Sequence, residues 1–542
     1  MDSNRIKNEI KNTNFDILII GGGITGATIL WDATLRGLNC ILLEKNDYAS
    51  GTTQATSKLI HGGLRYLKNM EFAMVRESLF ERRILATIAP HAVRPMGFLL
   101  PVYNYFKDRV IFGVGLTLYD FLSYDRNKNI IDDEQIPRHK YLNKNEAILT
   151  EPNLLRQKLK GALLYYDYAN LNPERNTTEF ILSAKDKGGK AFNYAEVLSI
   201  AKADNGYNVK IMDKITQETI ELQSKTVVNS AGPWADQIEN MVISKRKQNI
   251  VRSKGIHIIT RKIVNEKAVA LIKPDKTHMF IIPWRNKTII GTTDTIFKDD
   301  PDKLQITKDD ILELIDSTNQ LYHSTKLTLE DVDFFYGGLR PLVGDANEES
   351  TYDLSRKNEI LQHTEDGFPG FFTALGGKYT TSRGLAEKLV NEVVKVVPGN
   401  FKSCSTASVP IQGGNFSDPI SLEMDLQRKF PQTSGEKIAI LSRRYGSVAE
   451  AILNLSGKKY NVSEIQLTEK YYPEEIEYIS QKEDIHYLPD LYFRRSGIGT
   501  MGLPKETINK EIAEIVASTL NWKEDKIKED LEAVKERYKI KL

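Results

Sequence analysis

Phe15-Asp16-Ile17-Leu18-Ile19-Ile20-Gly21-Gly22-Gly23-Ile24-Thr25-Gly26 is the stretch on which the fold turns. The apolar run 15–20 reads as a short strand buried on both faces, as in a parallel sheet. The glycines follow at once, and ATILWDATLRGL then reads as a helix that ends near Gly37. The CILL run 40–43 reads as a second buried strand, and Glu44 stands at its end, 18 residues beyond Gly26. This is a βαβ unit with glycines in its first turn. In Gly21-x-Gly23-x-x-Gly26 the first glycine permits the tight turn. The second lets the backbone approach a pyrophosphate, and the third allows close helix–strand packing. The helix N-terminus offers free N–H groups and a positive dipole end to phosphates. Glu44 is placed to accept hydrogen bonds from a ribose. The fingerprint alone leaves NAD and FAD equally open.

Outward from this unit, 542 residues are enough for three to four domains, or two large ones. Hydrophobic residues at 41% and charged residues at 27% exclude wholesale disorder, collagen and a coiled-coil rod. Lys plus Arg is 74 and Asp plus Glu is 72, so the net charge of +2 gives no argument for nucleic-acid binding. Any anion site must be built locally. Two cysteines, Cys40 and Cys404, make no disulfide framework and fit a reducing compartment. The polar N-terminus does not read as a secretory signal, and no apolar run of about 18 residues reads as a membrane span. No CxxC, HExxH or EF-hand loop occurs, so no metal is expected.

TVVN (226–229) reads as a buried strand entering the turn Ser230-Ala231-Gly232-Pro233. Strands are also expected at 279–283, 288–291 and 370–375, the last ended by Gly376-Gly377-Lys378, and a helix over 383–394. Beyond about Gly399, Ile508, Ile512, Ile515, Val516 and Leu520 share one helical face, and Ile527, Leu531, Val534 and Tyr538 mark another helix. The apolar stretch 112–122, FGVGLTLYDFL, follows Lys107 and Arg109. It reads first as a buried core helix and second as an interfacial one. Lys245-Arg246-Lys247 reads as a solvated basic loop.

ASGTTQATSKLIHGGLRYL (49–67) resembles the signature of FAD-dependent glycerol-3-phosphate dehydrogenases, which the related oxidases share. The resemblance covers nearly the whole chain, in order: VVNSAGPWAD (227–236), SKGIHI (253–258), IIPWRNKTIIGTTDT (281–295), GGLRPLVGD (337–345), ALGGKYTTSRGLAEKL (374–389) and a C-terminal RRSGIGT. The chain departs from the pattern at Leu171-Asn172-Pro173-Glu174-Arg175, where an acidic pair is usual, and at Ser382, where Tyr is common.

The resemblance implies an α/β and α+β protein. A Rossmann-like FAD-binding domain is expected from segments 15–80, 150–250 and 345–398. An antiparallel-sheet substrate domain is expected from 81–149 and 251–344, and a helical C-terminal domain from 399–542. It implies FAD as cofactor, held by Gly21, Gly23, Gly26, Glu44, Val197, Gly232 and Gly377. It implies oxidation of glycerol 3-phosphate to dihydroxyacetone phosphate, with hydride passing to flavin N5 and electrons to a membrane quinone. A cytoplasmic protein held peripherally at the inner face of the cell membrane follows, and a homodimer is left open.

The substrate is a dianion, and Arg offers a planar fork for phosphate oxygens. Arg65 and Arg340, each in a Gly-Leu-Arg segment, are the first choices, with Tyr66 and Thr292 as further substrate contacts. A base must take the C2 hydroxyl proton. His61 leads, His257 follows, and Lys378 stands behind them because an ordinary lysine is protonated at neutral pH; its other expected roles are to stabilise negative charge on the reduced flavin or to contact the substrate phosphate. Three rival readings share parts of this pattern. An oxidase would pass electrons to oxygen and release hydrogen peroxide. An amine oxidase would not need two phosphate arginines. A flavin-binding scaffold would stay yellow with every polyol phosphate.

Overall fold

The computed structural model describes residues 5–10, 13–243, 250–274, 277–323, 326–343, 358–455 and 464–540. Lys245-Arg246-Lys247 and the Gly344-Asp345 end of the GGLRPLVGD motif lie outside these residues.

The strand Asn14–Ile20 pairs in parallel with Cys40–Leu43 on one side and with Glu218–Asn229 on the other. Phe371–Leu375 and Lys190–Phe192 extend this parallel sheet at either flank. Helices Ile24–Arg36, Pro173–Asp186 and Ser382–Val396 cover one face, over Ile17 and Ile19. The antiparallel strands Ala195–Ala203 and Gly206–Asp213 cover the other, over Leu18 and Ile20. Both faces are buried, which is why residues 17–20 are apolar in succession instead of alternating; Asp16, near the strand start, is only partly buried. Helix Ile24–Arg36 ends at Gly37, whose φ of 91° is the left-handed cap glycine adopts without steric cost.

Among the described residues the second sheet has ten strands. It is antiparallel except where Ala268–Ile272 runs beside Val93–Val102. Its centre is built by Ile250–Arg261, Lys287–Gly291 and His278–Trp284, with Val332–Val343 on the outer side of Ile250–Arg261. Leu59–Ile60 and Gly161–Asn170 also belong here, although the sequence reading places 15–80 and 150–250 in the nucleotide domain. Gly161–Asn170 pairs along its whole length with Val93–Val102, so the chain changes sheets within those segments.

After residue 404 helices dominate, among them Gly435–Tyr445, Pro473–Lys482, Glu506–Leu520 and Glu524–Glu536. Ile512, Ile515 and Val516 share a core with Phe334 and Tyr336 of the second sheet.

The buried-core reading of 112–122 does not hold. In helix Ile111–Leu122 only Leu116 and Tyr119 are buried. Phe121 is 74% exposed, Val114 65% and the preceding Phe106 77%. No helix among the described residues is long and apolar enough to cross a membrane.

Candidate active site

A cavity of about 1420 Å³ is lined by both sheets. Gly21, Gly23, Glu44, Val197, Gly232 and Gly377 form part of its wall. Gly21 has a φ of +107°, and a Cβ there would sit 2.7 Å from the Ser230 carbonyl oxygen. Gly26 stands behind the wall, where a Cβ would fall 1.9 Å from the Gly21 carbonyl oxygen. It is therefore the close-packing glycine. Gly23 presents bare backbone to the cavity at the start of helix Ile24–Arg36. Thr53 Oγ1 accepts the Ile24 N–H at 3.0 Å and ties the 49–67 segment to that helix end. Glu44 accepts the N–H groups of Gly22 at 2.7 Å and Asn46 at 2.8 Å. Burial raises its carboxyl in spite of those bonds. This donor set fits FAD: a helix N-terminus at which Gly23 adds no side chain and Thr53 takes the Ile24 N–H, for the pyrophosphate, and an anchored carboxylate for the ribose.

His61, Arg65, Tyr66, His257, Thr292, Arg340 and Lys378 line the same cavity. Strand Val332–Val343 carries Arg340, whose Nη2 donates to Thr292 Oγ1 at 2.6 Å and whose Nη1 reaches the Thr293 carbonyl at 3.3 Å. Arg65 Nη2 donates to the Tyr66 hydroxyl at 3.3 Å. Lys378, in the turn before helix Ser382–Val396, lies over the Tyr66 ring at 4.1 Å. Burial, opposed by Glu77 and reinforced by Arg65, brings Lys378 down to about 7. Burial and then Arg65 also lower Arg340, against the pull of Asp294. Arg65 thus disfavours the charged forms of both Lys378 and Arg340, and all three side chains line one cavity.

The two histidines differ. His61 Nδ1 accepts the Gly63 N–H at 3.0 Å, so the proton of the neutral ring sits on Nε2. His61 is exposed to the cavity; the depth of that cavity, followed by Lys378, Arg65 and Arg82, lowers its ring to about 4. A neutral His61 is therefore a donor through Nε2. His257 is buried, stacks on Tyr336 at 5.0 Å, and meets Ser57 Oγ at 2.8 Å through Nε2. Burial and then Arg340 bring it to about 3.

The sequence reading passed over several residues that hold this site. Lys58, inside the quoted signature, forms a buried ion pair with Glu174 at 2.8 Å. Asn172 caps helix Pro173–Asp186 by accepting the Arg175 N–H at 3.1 Å, with Pro173 in its first turn. The departure at 171–175 is thus a well-formed helix start. Asp47, three residues past Glu44, is buried against Arg494 and Arg495 of the RRSGIGT segment. Acid and base residues so far apart carry no local signal of pairing.

Comparison with known proteins adds to this geometry. The family model described as FAD dependent oxidoreductase matches residues 16–390, and that of the C-terminal domain of alpha-glycerophosphate oxidase matches 404–527. A glycerol-3-phosphate dehydrogenase of Synechocystis sp. is 33% identical over 90% of this chain and 90% of its own length. An aerobic glycerol-3-phosphate dehydrogenase of Staphylococcus aureus is 32% identical over 98% of this chain and 96% of its own. The structure of glycerol-3-phosphate dehydrogenase from Bacillus halodurans, complexed with FAD, superposes with a TM-score of 0.79 at 27% identity. It covers 99% of this chain and 97% of that one. The cofactor is FAD, and the chain belongs to the family of FAD-dependent glycerol-3-phosphate dehydrogenases and oxidases.

Proposed function

We propose that this protein oxidises sn-glycerol 3-phosphate to dihydroxyacetone phosphate and passes the electrons to a membrane quinone. The observation that carries the reading is the set of three cations, Arg65, Arg340 and Lys378, on the wall of the cavity that also holds the FAD cradle. Bound FAD supplies the acceptor for the hydride that leaves C2. Arg340 and Arg65 hold the phosphate, their forks matching its oxygens. Thr292, already bonded to Arg340, fixes the direction of that fork. Lys378, brought to about 7, is neutral often enough at neutral pH to take the C2 hydroxyl proton as the carbonyl forms. His61 donates through Nε2 to the same oxygen and orients it.

The quinone reading rests on helix Ile111–Leu122. Phe112, Val114 and Leu118 line the cavity, while Phe121 and the neighbouring Phe106 are bare to solvent. An apolar face continuous with the flavin cavity suits a lipid surface and an apolar acceptor drawn from it. The chain would then sit peripherally on the membrane. The rival is an oxidase using oxygen, which the name of the C-terminal family model favours.

Anaerobic titration of the holoprotein with glycerol 3-phosphate should bleach the flavin. Adding a quinone in vesicles should restore the oxidised spectrum within turnover time, and oxygen should do so slowly. Fast reoxidation by oxygen with stoichiometric peroxide would replace the quinone reading. No bleaching would remove the substrate.

A further inference from the structure

The turn His61-Gly62-Gly63 is held from behind by a buried polar group. The Gly62 N–H donates to the Tyr119 hydroxyl at 2.9 Å, with Asp167 Oδ1 at 3.3 Å. That hydroxyl donates in turn to Asp167, whose two oxygens both lie at 2.9 Å. Arg82 completes the group with an ion pair to Asp167 Oδ1. Tyr119, Asp167 and Arg82 are each almost fully buried. The approach is close enough to demand glycine, since a Cβ on residue 62 would fall 2.4 Å from the Tyr119 hydroxyl and 2.4 Å from Leu79. One residue on, the Gly63 N–H donates to His61 Nδ1. Successive amides of one turn are thus fixed, the first by Tyr119 and the second by the His61 ring itself.

We propose that Tyr119, backed by Asp167 and Arg82, is a positioning residue that sets the orientation of the His61 ring over the reacting C2 hydroxyl. Without its hydroxyl the Gly62 amide loses its nearest acceptor, and the turn relaxes. The Gly63–His61 bond that selects the Nε2–H form then weakens. The group also joins the active-site turn to helix Ile111–Leu122, of which Tyr119 and Leu116 are the buried residues. The inference rests on the proposed oxidation of glycerol 3-phosphate for the group that His61 faces and for the kinetic readout, whereas the form of the ring does not depend on it.

Anaerobic stopped-flow reduction of the flavin by glycerol 3-phosphate compares wild type, Tyr119→Phe and Leu116→Ala. Tyr119→Phe should keep its FAD and its half-saturating substrate concentration within about twofold. Its maximal reduction rate should fall by about threefold to fivefold, less than the loss of the His61 donor itself would cost. Leu116→Ala, which leaves a cavity in the same helix contact, should lower the melting temperature and leave the reduction rate unchanged. A wild-type rate in Tyr119→Phe, or equal slowing in Leu116→Ala, would overturn the proposal. Should Tyr119→Phe fail to hold flavin, Asp167→Asn removes the acceptor of the hydroxyl instead, and its rate is read beside its melting temperature because Arg82 then stays buried without its partner. The ¹⁵N resonances of the His61 imidazole give a readout free of turnover. They should report the Nε2–H form in wild type and a mixture in Tyr119→Phe. If wild-type flavin is not bleached by glycerol 3-phosphate, the substrate reading fails while this spectrum still decides the positioning role.

Discussion

The Lys378 Nζ lies 4.1 Å from the centre of the Tyr66 ring and 3.4 Å from Ser78 Oγ. It therefore sits against an aromatic face and a hydroxyl and has lost most of its hydration. Burial is the first cause of its descent to about 7, with Arg65 assisting and Glu77 opposing. A base must be neutral to act, so the flavin reduction rate should rise with pH through about 7 and level off above about 8. Lys378→Met should flatten this rise and cost about 10²–10⁴ in rate. Lys378→Arg keeps a cation that cannot deprotonate, so it should be as slow as Lys378→Met. Near-normal reduction in Lys378→Arg would make residue 378 a phosphate anchor instead.

His61→Asn separates the two proton carriers. If the ring acts through its Nε2–H, the substitution removes one hydrogen-bond donor. That loss is worth about 0.5–1.5 kcal/mol, or up to about tenfold in rate. The rise through about 7 should survive in this variant, because Lys378 is untouched. Disappearance of that rise in a pH series would return the role of base to His61.

What could be read from the chain beforehand follows the range of the interactions. The βαβ unit is local: strand, Gly21 to Gly26, helix and Glu44 occur within thirty residues, and every physical requirement is met by a neighbour in sequence. Gly161–Asn170 is different. Its apolar and aromatic residues announce a buried strand, but its sheet is chosen by Val93–Val102, about sixty residues earlier. Helix Ile111–Leu122 has few polar residues on any side, so its sequence looks the same whether protein or solvent covers it. Lys378 belongs to a recognisable motif, yet its protonation depends on burial created by residues 65–78. The Nε2–H form of His61 follows from one backbone amide, that of Gly63. Such effects need coordinates.

Arg340 and Thr292 make a second pair. Arg340→Ala should lower kcat/KM for glycerol 3-phosphate by about tenfold to a hundredfold, the worth of one charge-assisted contact of about 1.5–3 kcal/mol. Thr292→Val removes only the 2.6 Å bond that aims the guanidinium, and a smaller loss in the same parameter is expected. Both variants should purify with full flavin absorbance. Loss of FAD without a change in kcat/KM per flavin would place these residues on the cofactor.

Asp47 tests the bond between the helical domain and the cofactor cradle. Burial alone would raise its carboxyl, but Arg495 and Arg494 outweigh it and hold the group well below the usual carboxylate range. Arg495 Nη2 and Nη1 donate to its two oxygens at 2.7 and 2.8 Å. A depressed carboxylate stabilises the fold above its unfolded value of about 3.9. That contribution is lost as pH falls through the lower folded value. Arg495→Met leaves Asp47 with Arg494 as its remaining partner, so the cost should stay below the roughly 3–5 kcal/mol of a fully broken buried pair. The melting temperature should drop and FAD should be released more readily, since Asp47 closely follows Glu44. An unchanged melting curve across pH 3–7 would show that the contact contributes little.

The exposed helix gives the last prediction. Phe106 and Phe121 are 77% and 74% exposed and lie outside the cavity lining, so they can be changed without touching the site. Each phenyl ring inserted into a lipid surface should contribute about 1.5–3 kcal/mol. Removing both by Phe106→Ser and Phe121→Ser should weaken vesicle binding by roughly a hundredfold or more, since every 1.4 kcal/mol is tenfold. Cosedimentation with phospholipid vesicles measures this directly. Turnover with a water-soluble dye should stay at the wild-type level. Turnover with a quinone dissolved in the vesicles should fall in step with binding, because that acceptor is reached only from the lipid. A double variant that still cosediments fully would move the membrane contact elsewhere. One that loses binding but keeps quinone turnover would show that the acceptor enters by another route than the face of helix Ile111–Leu122.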